Sequence, residues 1–202
     1  MLNSLSLSEL LWPRIWRVSD FWVVGATSER LARKGLRPAA GEKQMIIGII
    51  GGASVSSRVR EQAFQVGQRI AESGATLVCG GLGGVMEAAC RGARTAGGVT
   101  VGILPESDTT GANPYVAIPV ATGMGIARNA IIVRTADVLI AVDGSYGTLS
   151  EIAMALNLGK TVVQLGSWRL PEAGEVDPEL YLTAEDPADA VRKAIEVIEK
   201  RQ

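Results

Sequence analysis

Residues 143–151 read Asp-Gly-Ser-Tyr-Gly-Thr-Leu-Ser-Glu and directly follow an apolar run, Val138 to Val142. Strand, glycine turn and helix start come in that order, with Thr148 and Glu151 at the opening of the helix. Such a turn aims backbone N–H groups and the positive end of a helix at one point, which attracts phosphate. Gly51-Gly52 and Gly80-Gly81-Leu82-Gly83-Gly84 close two earlier apolar runs in a similar way. The candidate phosphate or nucleotide contacts are therefore Gly51, Gly52, Gly81, Gly83, Gly84, Gly144, Ser145, Tyr146, Gly147 and Thr148.

Each feature also has a purely structural reading. A single glycine turn is usually a tight connection that needs positive φ. Three turns on one sheet edge, one with four glycines in five residues, favour anion binding over that reading. Thr148-x-x-Glu151 has the spacing of a capping box, in which Glu151 would only satisfy backbone donors. Arg128 is either a surface charge or a partner for Glu151, and for Glu87 a solvated role is the default.

The chain has no histidine. That removes Ser-His-Asp and Cys-His catalysis and histidine zinc sites, leaving acid–base work to carboxylates with Arg, Lys or Tyr in support. No metal site is expected. The only cysteines, Cys79 and Cys90, are too few for a disulfide scaffold and suggest a cytoplasmic protein. A net charge of -1, without a basic block, gives no support to nucleic-acid binding by counterion release. No apolar run approaches a bilayer span, and the N-terminus does not read as a signal peptide. The two Gly-x-Gly pairs, at Gly81 and Gly123, lack a third glycine and do not follow the first strand, and there is no Walker A lysine pattern. NAD binding and P-loop hydrolysis are not expected.

These residues need elements to carry them. From Met45 onward strands are expected at 45–50, 75–79, 99–104, 115–120, 137–142 and 161–165. Helices are expected at 57–73, from the turn at 84 to about 96, at 125–136, at 147–158 and at 187–200, the last with Asp186 as N-cap and Pro187 at its first position. The alternation predicts an α/β, Rossmann-like, doubly wound and mostly parallel sheet with helices on both faces. Turns leaving parallel strands gather along one edge, so those at 51–54, 80–84 and 143–148 should share a crevice. Residues 1–44 hold Trp12, Trp16, Trp22 and a basic stretch, Arg30 to Arg37, without a clear period. They are expected to be a poorly ordered extension of a domain at 45–202.

Three motifs in order, Gly80-Gly81-x-Gly-Gly84-Val-Met-Glu87, Thr122-Gly123-Met124-Gly125-Ile-Ala-Arg128-Asn129 and Gly144-x-x-Gly147-Thr148-Leu-Ser-Glu151, resemble the Lonely Guy (LOG) lysine-decarboxylase-like superfamily. The branch they resemble most is that of the molybdenum cofactor carrier proteins. The resemblance spans about Met45 to Leu165. It implies a Rossmann-like fold and a homodimer or tetramer, and the helix at 147–158, apolar nearly all round, would suit such an interface.

LOG enzymes hydrolyse cytokinin riboside 5′-monophosphates to free base and ribose 5-phosphate. On that resemblance Arg128 and Glu151 are the catalytic candidates, with Asn129 and Glu87 as additional site residues, and no cofactor is needed for catalysis. Asp143 replaces the family's proline, Ser145 its second glycine, and Glu87 a glycine. Two functions follow. One is a phosphoribohydrolase acting on a nucleoside 5′-monophosphate. The other is a non-catalytic carrier of molybdenum cofactor, a pterin, or a nucleotide sensor. In both the partner is a small phosphorylated ligand, with no membrane and no nucleic acid. DNA handling, as in the distantly related DprA-type proteins, is disfavoured by charge.

Overall fold

β5 (Val138–Val142) shows how the chain sorts its residues: all five are buried, with Val138, Ile140 and Val142 on one face and Leu139 and Ala141 on the other. Apolar residues at every position, not alternate ones, mark a strand covered on both sides. The computed structural model describes residues 43–170 and 177–201, and in it seven strands form one parallel sheet. They are β1 (Ile46–Gly51), β2 (Thr76–Cys79), β3 (Thr100–Leu104), β4 (Ile118–Ala121), β5, β6 (Val162–Leu165) and β7 (Tyr181–Thr183). Their spatial order is β4-β3-β2-β1-β5-β6-β7. The chain runs outward from β1 to one edge, returns to the centre, and runs from β5 to the other edge. β1 and β5 therefore flank the topological switch point, where open α/β sheets bind ligands.

Helices α1 (Ser57–Glu72), α2 (Val85–Thr95) and α5 (Pro187–Glu199) cover one face, over Ile47, Ile49, Leu77 and Ile140. Helices α3 (Asn129–Thr135) and α4 (Tyr146–Asn157) cover the other, over Ile50, Val78, Leu139 and Ala141. α1 and α2 approach very closely. A Cβ added at Gly67 would lie 1.9 Å from the Ala89 carbonyl oxygen, and one at Gly92 would lie 1.9 Å from that of Phe64. Caps follow the expected chemistry: Ser56 accepts from Val59 N–H, and Asp186 accepts from the Ala188 and Asp189 amides ahead of Pro187.

The Rossmann-like expectation holds, with the sheet wholly parallel among the described strands. Three details differ. The strand expected at 115–120 begins only at Ile118, because Asn113 turns the chain by accepting Tyr115 N–H on its side chain and Val116 N–H on its carbonyl. The helix expected at 125–136 opens as a 3₁₀ turn, Gly125–Arg128, before α3. β7, three residues at the sheet edge, has too short an apolar run to stand out by periodicity. No helix among the described residues is long and apolar enough to cross a membrane, and no cluster of His, Cys, Asp or Glu among them could hold a metal. Lys43 pairs with Asp137 at 2.7 Å and Gln44 bonds the Gly74 carbonyl at 2.8 Å, so the chain is fastened just ahead of β1. Residues 1–42, where the expected disorder falls, lie outside the described residues.

Candidate functional site

The ends of β1, β2, β3 and β5 open into one cavity of about 380 Å³. Gly51 is the last residue of β1 and Ala53 comes from the turn after it, Gly80 and Leu82 from that after β2, and Pro105 from that after β3. Ser145, Gly147, Thr148 and Glu151 come from the start of α4, and Gly125, Ile126, Arg128 and Asn129 from the 3₁₀ turn and the first residue of α3. Polar groups occupy one part of this lining, while Leu82, Met86, Pro105 and Ile126 give the other an apolar wall.

The start of α4 supplies donors. Its N-cap, Ser145, makes no side-chain capping bond. The Tyr146, Gly147 and Thr148 amides have no acceptor among the described residues, the first bond back being Leu149 N–H to the Ser145 carbonyl. Three unsatisfied amides and a helix dipole at a cavity wall are suited to an anion. The turn that delivers them is held hard. Asp143 is the one described non-glycine residue with positive φ, 52°, and Ser167 Oγ donates to its carbonyl at 2.5 Å. Trp168 Nε1 donates to the Ser145 carbonyl at 3.2 Å and stacks obliquely on Tyr146, ring centroids 5.8 Å apart.

Arg128 is 8% exposed. Its guanidinium donates to Asn129 Oδ1 and, at 3.5 Å, to the Gly80 carbonyl, while Nε has no partner. A buried cation in the lining of a cavity is suited to an anionic ligand. Burial holds its pKa below the ordinary arginine value, opposed by the charges of Glu151, Cys79 and Glu106.

Glu151, 7% exposed, points a carboxylate oxygen to within 4.0 Å of Arg128 Nη1. Because α4 starts at Tyr146, Glu151 falls in its second turn and caps nothing, so the capping-box reading does not apply. Burial pushes its carboxyl up to about 7, with the Arg128 charge pulling the other way. Below the cavity floor Cys79 and Cys90 lie with their sulfurs 3.5 Å apart, both buried and free. The hydrogen bond between them draws the Cys79 pKa down and sends that of Cys90 up.

Of the residues singled out by sequence, Gly51, Arg128, Asn129, Ser145, Gly147, Thr148 and Glu151 line the cavity together. Gly52, Gly81, Gly83, Gly84, Glu87, Gly144 and Tyr146 do not line it. The Gly52 carbonyl accepts Val85 N–H at 3.0 Å, occupying the first amide of α2. Gly81 packs against Gly102, and Gly84 against Gly52 and Ala53, while Glu87 stands near Gly83 in the first turn of α2. Gly144 lies under Thr148, and Tyr146 is 81% exposed. The apolar lining residues Leu82, Met86, Pro105 and Ile126 carry neither a glycine turn nor a charge that would single them out in the sequence. The proline that ends β3 was the available signal.

A family model described as the SLOG cluster4 family matches residues 44–197. The chain belongs to the SLOG cluster4 family. An uncharacterized protein of Archaeoglobus fulgidus is 50% identical over 123 residues, 61% of this chain and 81% of its own length. The solved molybdenum cofactor carrier protein of Chlamydomonas reinhardtii is 37% identical, over 77% of this chain and 99% of its own, with a TM-score of 0.70. The solved molybdenum cofactor binding protein of Rippkaea orientalis is also 37% identical, over 79% of this chain and 98% of its own, with a TM-score of 0.68. This SLOG chain thus matches both structures across almost their whole length, as the sequence motifs lead one to expect.

Proposed function

We propose that the chain binds a small phosphorylated heterocycle, a pterin cofactor or a nucleoside 5′-monophosphate, in the cavity at the β1/β5 switch point. The observation that carries this reading is the presence in one cavity lining of the buried Arg128 and the uncapped start of α4. Phosphate would sit on the Tyr146, Gly147 and Thr148 amides with the Ser145 and Thr148 hydroxyls, and Arg128 would balance its charge. The ring would lie against Leu82, Met86, Pro105 and Ile126. A cavity of about 380 Å³ is within the usual range for such ligands. The carrier and binding proteins among the relatives support molybdenum cofactor as cargo. That use asks only for retention and shielding.

A second reading is supported by the Arg128–Glu151 juxtaposition at 4.0 Å. In a phosphoribohydrolase the bond from ribose C1′ to the base breaks, water adds to C1′, and its proton leaves with the base. An ionised Glu151 would stabilise the oxocarbenium-like charge and orient the water. Purified protein incubated with a panel of nucleoside monophosphates separates the two by chromatography. Release of free base that stops in Glu151→Ala establishes the hydrolase. Retention without release, or a pterin found by fluorescence in the purified protein, establishes the carrier. Neither release nor retention of any member refutes both.

We also infer self-association as a dimer or tetramer. Ile126, 76% exposed, and Tyr146, 81% exposed, stand beside the cavity mouth. Leu149, Ala153 and Leu156 are only partly covered on α4. Light scattering coupled to gel filtration tests this, and a single monomeric mass would refute it.

A further inference from the structure

We propose that Glu151 is a proton-coupled specificity determinant: the site admits a dianionic phosphate only as Glu151 takes up a proton. This rests on the phosphate-binding reading above and adds the charge rule by which that site operates. Its basis is a count of charges inside one cavity. Arg128 and Glu151 line the same wall 4.0 Å apart, both about nine-tenths buried. With the cavity free of ligand and the pH above about 7, where the Glu151 carboxyl ionises, they form a net-neutral pair. A phosphate dianion on the α4 amides then faces one buried guanidinium and one carboxylate. Two anions sharing a desolvated site cannot both stay charged beside a single cation, because like charges there raise the cost of ionisation steeply.

Other groups near Glu151 do not supply the missing charge. α4 has no other ionisable carboxylate or base beyond the Tyr146 phenol at its first residue, and β1, β5 and β6 have no charged residue. α3 contributes Arg134, in its last turn. β2 contributes Cys79, already engaged with Cys90, and the loop after β3 contributes the exposed Glu106, whose negative charge acts on Arg128. α2 offers Glu87, also an acid. The proton therefore goes to Glu151, whose carboxyl burial has already moved toward neutrality.

The coupling sets an operating condition as well as a specificity. Ligand is held best where Glu151 is neutral and is released as the pH rises. It also opposes the hydrolase reading, since a carboxyl that takes up a solvent proton when the dianion binds cannot stabilise cationic ribose.

Calorimetric titration at pH 8 in two buffers of different ionisation heat reads the proton directly, with AMP and inorganic sulfate as probes. Both are dianions there, AMP having its second phosphate pKa near 6. Wild type should take up close to one proton per AMP, and its affinity should fall by up to about tenfold per pH unit above pH 7. Glu151→Gln should bind both probes more tightly at pH 8, take up no proton, and lose the pH slope. Cys79→Ser should retain the uptake. AMP binding with no uptake, or with the same slope in Glu151→Gln, overturns the inference and leaves the binding site standing. Failure of both probes to bind either protein overturns the inference together with the reading beneath it.

Discussion

Two turns rich in glycine, 80–84 and 143–147, look like variants of one device in the sequence, yet they meet different physical demands. In the first, Gly81 and Gly84 sit where neighbouring protein leaves no room for a side chain. A Cβ on Gly84, whose φ is +66°, would lie 2.2 Å from the Gly52 carbonyl oxygen, and one on Gly81 would lie 2.8 Å from Leu104. The Gly52 carbonyl also takes the first amide of α2, leaving that helix start partly closed to a ligand. In the second turn, Gly147 has nothing within 4 Å of its hypothetical Cβ, and the first three α4 amides have no acceptor among the described residues. Gly81 and Gly84 make room for protein, whereas Gly147 faces open space in the cavity lining.

The largest effect that would test this contrast is on stability. Gly84→Ala places a side chain in left-handed backbone and against the Gly52 carbonyl. We expect a loss of about 3 kcal/mol or more, a fall in Tm of roughly 6–12 °C by thermal denaturation. A Tm within 2 °C of wild type, on the order of 1 kcal/mol or less, would mean that the turn can yield and the crowding is not its reason.

Arg128→Met acts on the open side. It removes the one buried cation of the cavity and should weaken binding of a phosphorylated ligand by about a hundredfold or more, the range for removing one partner of a desolvated charge pair. The neutral Glu151 left behind limits the damage to the fold. Unchanged affinity would move the anion elsewhere.

Glu151→Gln should reveal the same side through pH. The carboxyl stands near 7 in the folded chain, against an ordinary value of 4.5. Between those values the folded state binds more protons than the unfolded state, so stability falls as pH rises from about 4.5 through 7 and then levels. The loss is at most about 3 kcal/mol. The glutamine variant should match wild type near pH 4 and exceed it at pH 8 in urea denaturation. A wild-type advantage at pH 8 would show that the ionised carboxylate is welcome there.

Much of this fold was legible because the central strands β1 and β5 are apolar throughout and glycine turns follow β1, β2 and β5. β5 needed no more than its five apolar residues, and the glycine turns after the strands pointed to one shared crevice. Arg128 and Glu151 were also legible as a pair, but not why Glu151 escapes the cap. That depends on α4 starting at Tyr146, and helix ends are the weakest part of any sequence reading. Nor could the glycines of 80–84 be told from those of 143–147. Whether a glycine spares room for protein or for ligand depends on Gly52, Gly102 and Leu104, which are distant in sequence and adjacent only in the folded sheet.

The smallest predicted effect on stability is therefore the sharpest comparison. Gly147 lies in the first turn of α4, its φ is not positive, and space around it is open. Gly147→Ala should leave stability unchanged or raise it by up to about 1 kcal/mol through helix propensity. The same methyl projects where the amides must approach an anion, so ligand affinity should fall by roughly tenfold, about 1.4 kcal/mol. Gly84→Ala, if enough folded protein survives, should show the reverse: a large stability loss with affinity in the folded fraction nearly kept. Measuring Tm and affinity for both variants gives four numbers and one crossing pattern. Parallel losses in both would mean that the two turns do one job, and the assignment of the anion to the α4 side would fall with it.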